Sequence, residues 1–367
     1  LKENPLNKLN VAVLGATGAV GQRFVQLLEN HPWFRVAEVV GSERSAGHVY
    51  GDITRWVLDG EPPESVRELP VKSLNAALES PLVFSALPKE AADPREMELA
   101  TAGHIVCTNA STNRMVEDVP LLLPEVNANH VRLIDVQRRK RGWTTGALIA
   151  NSNCTVMPVV MALAPLRVFG VEKVSVVSAQ AISGAGYPGV ASLDILDNMI
   201  PFVSGEEDKM ETESRKMWGQ FDGENIAPYK TLVSASCNRA PVIDGHLVNV
   251  SVSLAAQPDF DDILQAWANY RGDDPIPMLP SAPVLPVKYL TQQDRPQPRR
   301  DRAEGNGMTT TIGRLRECPL LGYKFVALSH NTIRGASGCS ILNAELLAAT
   351  GYIEQFQPMV SLLTANA

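Results

Sequence analysis

The chain has 367 residues, of which 45% are hydrophobic and 20% charged, with a formal net charge of -7. That composition belongs to a globular protein with two domains or one large one. The acidic balance excludes a general nucleic-acid binder and a polybasic membrane anchor. No apolar run reaches the length of a membrane span, and the opening LKENPLNKLN lacks the apolar core of a secretory signal. Five cysteines, an odd number without metal-ligand spacing, suggest neither a disulfide framework nor a zinc site. The expectation is a cytoplasmic, metal-free protein whose partners are small molecules rather than nucleic acid or membrane.

The segment VAVLGATGAVGQRFVQLLEN (11–30) reads as an apolar strand, a glycine turn and a helix with apolar residues at helical spacing. RVAEVV (35–40), PLVFSALP (81–88), HIVCTNA (104–110) and TGALIA (145–150) read as further strands separated by helical stretches. Such alternation predicts a doubly wound parallel sheet of Rossmann type, an α/β domain. After Asn153 the texture changes. VEKVSVVSAQAI, TLVSASCNRAPVI, HLVNVSVSLAA and GMTTTIGRLREC alternate apolar and polar residues, the mark of a mostly antiparallel sheet with one wet face. The domains are therefore expected at 1–152 and 153–339, the second of α+β type, with a closing helix in 340–367 packed back on the first. The proline-rich stretch 275–302 reads as an irregular extended arm lying on the protein or on a neighbouring subunit.

Gly15-Ala16-Thr17-Gly18-Ala19-Val20-Gly21 stands between a strand and a helix, where backbone N–H groups at a helix start bind phosphate. Its spacing is GxxGxxG, a departure from the usual dinucleotide fingerprint. The next strand ends in VVGSERSAG, where an NAD site tends to place an acid on the ribose. Ser42, Arg44 and Ser45 suit a 2'-phosphate instead, although Glu43 between them would repel one. NADP is preferred to NAD; the alternative is a charged surface loop.

NSNCTVMP (151–158) places Cys154 in a polar turn after an apolar strand, with a helix expected from about Thr155. A thiol there sits at the positive end of the helix dipole, where its pKa is expected to fall. A turn cysteine without chemistry is the plainer reading. In SCNRAPVIDGHLVNVSVSL, Asp244-Gly245 predicts a two-residue hairpin. Ile243 would then pair with His246, and parity puts Arg239 on the same face, roughly 13 Å away along the sheet. They would flank one substrate, the arginine gripping a carboxylate and the histidine handling protons. Arg114, in NASTNRM after a strand end, could meet an anion, whereas most charges of GEEDKMETESRK (205–216) read as a solvated helix face.

Together GATGAVG, SNCT, SGAGYPG, GEEDK and the R-x6-H of Arg239 and His246 resemble the aspartate-semialdehyde dehydrogenase family over nearly the whole chain. RPQPRRDRAEGNGM resembles its archaeal and fungal branch. The resemblance implies Cys154 as nucleophile, His246 as acid/base and Gln180 orienting the acyl group. It implies Arg239 and Glu206 at the amino-acid end of the substrate, with Lys209, Arg114 and Asn113 on phosphate and Asn153, beside the nucleophile, also binding substrate. It implies an NADP(H) site lined by Gly15, Thr17, Gly18, Val20, Ser42, Ser85, Ser183 and Gly184, with Ser337, Gly338 and Asn343 toward the nicotinamide. It implies a homodimer or homotetramer that reduces aspartyl-4-phosphate through a cysteine thioacyl. Three alternatives stay open: a malonyl-CoA reductase, an N-acetylglutamyl-phosphate reductase and a redox-sensing NADP-binding protein without turnover.

Overall fold

Two six-stranded sheets organise the chain, and a helix buried on every side lies between them. In this computed structural model, residues 8–354 and 356 are described. The first sheet contains β1 (Leu9–Leu14), β2 (Phe34–Val40), β3 (Val71–Lys72), β4 (Leu82–Ser85), β5 (Ile105–Thr108) and β6 (Ala147–Ala150). Its order is β3-β2-β1-β4-β5-β6, parallel throughout. The near-continuous apolar strands follow from burial on both faces, as in VCT and ALIA. In this order the chain reverses direction across the sheet between β1 and β4, and ligands of such sheets bind at that reversal.

The second sheet holds β7 (Val171–Gln180), then β10 (Leu232–Arg239), β11 (His246–Leu254), β12 (Val287–Leu290), β13 (Thr310–Cys318) and β14 (Gly322–Ser329). A short hairpin of β8 (Gln220–Phe221) and β9 (Ile226–Ala227) stands apart. The second sheet's order is β10-β7-β11-β14-β13-β12. Its three central pairings are antiparallel, but both edge pairings, β10 with β7 and β12 with β13, are parallel. The sheet is thus mixed and mostly antiparallel.

Two expectations are corrected here. The Asp244-Gly245 hairpin does not form, because β7 lies between β10 and β11; Val242 and Ile243 instead accept hydrogen bonds from the N–H groups of Ile182 and Ser183. The 275–302 stretch is not an irregular arm throughout: Val287–Leu290 adds β12 to the edge of the second sheet. Prolines flanking an edge strand cost no ladder hydrogen bonds.

The helix Val156–Leu163 is apolar all round and wholly buried between the sheets. Its neighbours include Val248 and Val250 of β11 and Ala327 of β14 in one continuous core. The helix Gly338–Ala349, also buried along most of its length, packs against β4, β5 and the helix Ala19–Leu28 of the first sheet. The remainder of the expected closing segment, residue 355 and residues 357–367, lies outside the described residues.

Candidate active site

The turn after β6 carries Asn151, Ser152, Asn153 and Cys154, and the helix Val156–Leu163 follows. Asn153 makes the turn. Its Oδ1 accepts from the backbone N–H of Thr155 (2.7 Å) and Val156 (3.1 Å), satisfying donors that a helix start leaves open. Its Nδ2 donates to the Glu206 carboxylate at 2.9 and 2.8 Å. Cys154 is thereby presented, half-buried, in a cleft of about 490 Å³ between the two sheets.

His246, the first residue of β11, places Nε2 3.3 Å from Cys154 Sγ. The other ring nitrogen is decisive for its protonation. Nδ1 accepts the Ala181 N–H at 3.0 Å, so it carries no proton and the neutral ring holds its proton on Nε2, facing the sulfur. A protonated ring would aim Nδ1–H at Ala181 N–H, donor against donor. Burial, reinforced by Arg239 and His330, pushes the imidazole down to about 3. The thiol moves the opposite way from expectation: burial, with Glu206 adding to it, raises Cys154 to about 11 against the pull of Arg114 and Arg239. The helix-dipole argument is outweighed, and the resting pair is neutral thiol beside neutral imidazole.

Arg239 ends β10 and Gln180 ends β7, side by side in the parallel register. Ala181 feeds His246 through its N–H and accepts Arg239 Nη1 on its carbonyl at 2.7 Å, the two groups lying in the successive peptides on either side of its Cα. A Cβ on Gly184 would lie 2.8 Å from Arg239 Nη1 and 3.0 Å from His246 Nε2. Arginine and histidine therefore converge on one point, far closer than the hairpin geometry predicted, because one residue at the end of the intervening strand, Ala181, orients both. On the opposite wall, Gly335 sits in a π-helical turn (Ile333–Ser337), and a Cβ there would be 2.7 Å from that of Cys154. Arg334, fully buried, holds this turn through a two-point ion pair with Glu125.

The cleft also contains Lys89, Arg114, Glu206 and Lys209, so cations predominate. Arg114 donates to Glu213 (3.0 Å) and to the Asn109 carbonyl (2.8 Å); Lys209 donates to Glu206 (2.8 Å). The arrangement suits a substrate with two anionic ends and a central electrophilic carbon opposite the sulfur.

Residues 10–134 match the family model described as semialdehyde dehydrogenase, NAD binding domain, and residues 163–334 that of its dimerisation domain. An aspartate-semialdehyde dehydrogenase of Archaeoglobus fulgidus is 46% identical over 93% of this chain and 98% of its own length. The chain belongs to the aspartate-semialdehyde dehydrogenase family. The Schizosaccharomyces pombe member is 42% identical over 93% of this chain and 98% of its own. The crystal structure of the Candida albicans member with NADP superposes with a TM-score of 0.85 at 40% identity, covering 92% of this chain and 98% of that one. These relatives are archaeal and fungal, as the RPQPRRDRAEGNGM resemblance implies.

Within the family's site, the expected residues separate into those facing the cleft and those lying behind it. Cys154, Gln180, Arg239, Glu206, Lys209, Arg114, Asn153, Val20, Ser183 and Gly184 line it. The glycine turn fits a dinucleotide. Gly15 has φ +70°, and a Cβ there would stand 2.8 Å from the Ala86 carbonyl, at the reversal between β1 and β4. Gly18 precedes the helix Ala19–Leu28 without a side-chain cap, and Thr17 adjoins it; the first-turn N–H groups are left for an anion. Ser42 and Arg44 are exposed at the end of β2.

Several others lie behind the cleft wall. Ser45 is buried and its hydroxyl donates to the Ser42 carbonyl. Ser337 is buried and donates to the Val20 carbonyl, bracing the glycine turn from behind. Asn343 is buried and bonds Asn151 and the Leu122 carbonyl. Ser85 and Asn113 are buried beneath the strand ends, and Gly338 borders a different cavity, beside Ile341 and Pro283. Unforeseen lining residues are Lys89, Asn109, Ser111, Asn331 and Thr332. Asn331 is coupled to the site by donating to Ser183 Oγ and accepting Gly245 N–H. Asn109 and Ser111 belong to the NASTNRM stretch already noted for Arg114, whereas Lys89, Asn331 and Thr332 carried no motif and join the site only through folding.

Proposed function

We propose that the chain catalyses the NADPH-dependent reductive dephosphorylation of L-aspartyl-4-phosphate to L-aspartate-4-semialdehyde, reversibly, on the route to lysine, threonine and methionine. The half-buried thiol of Cys154, 3.3 Å from a donor-locked histidine in a cation-rich cleft, carries this reading. NADP(H), held by Gly15, Thr17, Gly18 and Val20 with Ser42 and Arg44 at its 2'-phosphate, supplies the hydride in one direction and takes it up in the other.

The Cys154 thiol attacks the acyl-phosphate carbon as its proton passes to the departing phosphate, which leaves toward Arg114 and Lys209, and a thioacyl remains on sulfur. Reduction of that carbon gives a thiohemiacetal, whose collapse expels the thiolate and frees the aldehyde. In this reading His246 assists as an Nε2–H donor to the sulfur and the developing oxyanion rather than as the expected acid/base. Arg239, beside Glu206, takes the substrate carboxylate, and Gln180 orients the acyl group. The intact protein is expected to form NADPH, followed at 340 nm, from L-aspartate-4-semialdehyde and NADP only when phosphate is added. Formation without phosphate dependence, or none with bound NADP, would overturn the reading, and malonyl-CoA would be the next acyl donor to try.

Residues 1–152 act in this reading as the cofactor domain, completed by the helix Gly338–Ala349, and 153–339 as the catalytic and dimerisation domain of a cytoplasmic protein. No helix among the described residues is long and apolar enough to cross a membrane. A homodimer, alone or paired into a tetramer, is supported by the exposed apolar side chains Leu193, Leu196, Met199 and Phe202 in the second domain, with Val177 exposed on β7. Light scattering is expected to give at least twice the 39.8 kDa chain mass. Leu196→Asp with Phe202→Asp should lower it to one chain; a wild-type monomer at micromolar concentration would exclude the assembly.

A further inference from the structure

The helix Glu206–Met217 carries Glu206, Lys209, Glu213 and Lys216 at successive spacings that place all four on one face. As a solvated face this pattern would be unremarkable, yet Glu213 is 1% exposed and Lys216 7%. Glu213 joins two parts of the chain. One carboxylate oxygen accepts Arg114 Nη1 at 3.0 Å, and the other accepts the backbone N–H of Asn153 at 2.6 Å. Arg114 belongs to the loop after β5, and Asn153 immediately precedes the nucleophile after β6. One turn further along the helix, Lys216 Nζ donates to the carbonyls of Arg114, Val116 and Val119, each at 2.8 Å, which engages all three of its protons.

Burying such charges is costly, and apolar residues of similar volume would stabilise the fold about as well. What apolar residues would not do is fix the distance between a guanidinium and a nucleophile turn. We propose that Glu213 is a positioning residue for the phosphate step, its two oxygens setting Arg114 against the Cys154 turn while Lys216 holds the arginine's loop. The inference rests on the reading in which Arg114 meets phosphate. Only a carboxylate can serve both partners, because each presents a donor. A glutamine must turn its NH₂ toward one of them, and that contact becomes donor against donor.

The test is Glu213→Gln assayed at 340 nm with phosphate and aldehyde varied separately. The KM for phosphate is expected to rise about tenfold, the loss of one charge-assisted hydrogen bond. The KM for the aldehyde should stay within about twofold, since Arg239 and its Ala181 anchor are untouched. A purely structural carboxylate would lower the melting temperature and the fraction of titratable Cys154 without separating the two KM values, and that result would overturn the proposal. Lys216→Met, which frees the loop from its other end, should give the same separation and serves if the glutamine variant does not fold. Wild-type protein run alongside keeps the questions apart. If it shows no phosphate-dependent turnover, the proposed function fails; if it turns over and both variants keep the wild-type phosphate KM, Glu213 is no positioning residue.

Discussion

Cys154→Ser is expected to lower phosphate-dependent NADPH formation by at least about 10³-fold while NADP binding is unchanged. The site already makes ionisation difficult, with burial and Glu206 raising the thiol to about 11. A serine hydroxyl, less acidic by several units and a far weaker nucleophile, would have to lose its proton in the same buried surroundings at much greater cost. The sulfur is also the leaving group when the thiohemiacetal collapses, and a serine ester would not be reduced at a useful rate. No neighbouring thiol can substitute, because Cys107, Cys237, Cys318 and Cys339 are all buried away from the cleft. The check is NADPH formation at 340 nm, with NADP binding followed separately by quenching of tryptophan fluorescence. Serine activity within tenfold of wild type would remove Cys154 from the chemistry.

What could be read in the sequence is what is local. The nucleophile turn is legible because Asn153, Cys154 and the helix start are contiguous and the capping side chain is its own neighbour. The glycine turn is legible for the same reason, with Gly15 at φ +70° beside Ala86. The alternation that separates the two sheets survives because side-chain period follows burial on one face or two. The convergence of Arg239 and His246 could not be read, because β7, 60 residues earlier, slips between their strands. A hairpin signal at Asp244-Gly245 is a statement about two residues and cannot exclude a third strand. The buried charges of the helix Glu206–Met217 were hidden similarly: 3-4-3 spacing defines a face but does not say what covers it. The thiol's acidity failed on magnitude, since dipole stabilisation of about 1 kcal/mol loses to desolvation worth several units of pKa. Ser337 and Asn343, which the resemblance places toward the nicotinamide, here brace the glycine turn and the strand ends from behind.

His246 separates two kinds of catalysis that a histidine near a cysteine can perform. As a base it would take the thiol proton, and the resulting ion pair would alkylate at nearly constant rate from below pH 6 upward. With Nδ1 accepting Ala181 N–H and the ring held down to about 3, the neutral Nε2–H form prevails at every working pH. The rate of Cys154 carboxamidomethylation by iodoacetamide, followed by peptide mass spectrometry, should therefore climb about tenfold per pH unit from 6 to 9, with no inflection near 6.5. The sign follows from the direction of each shift: a lowered histidine stays neutral down to about pH 3, and a raised thiol ionises only toward pH 11. Turnover provides the second arm. His246→Ala removes the donor and should cost about 10²- to 10³-fold in kcat, as loss of one oxyanion donor does. His246→Gln keeps an N–H near the Nε2 position without any basic nitrogen, and should retain about ten times the activity of the alanine variant. Equal losses in the two variants, together with an alkylation plateau through pH 6.5, would mean that the ring exchanges tautomers during turnover and works as a proton shuttle after all. The Gln180–Ala181 peptide, which carries the Ala181 N–H, would then have to rotate away from Nδ1.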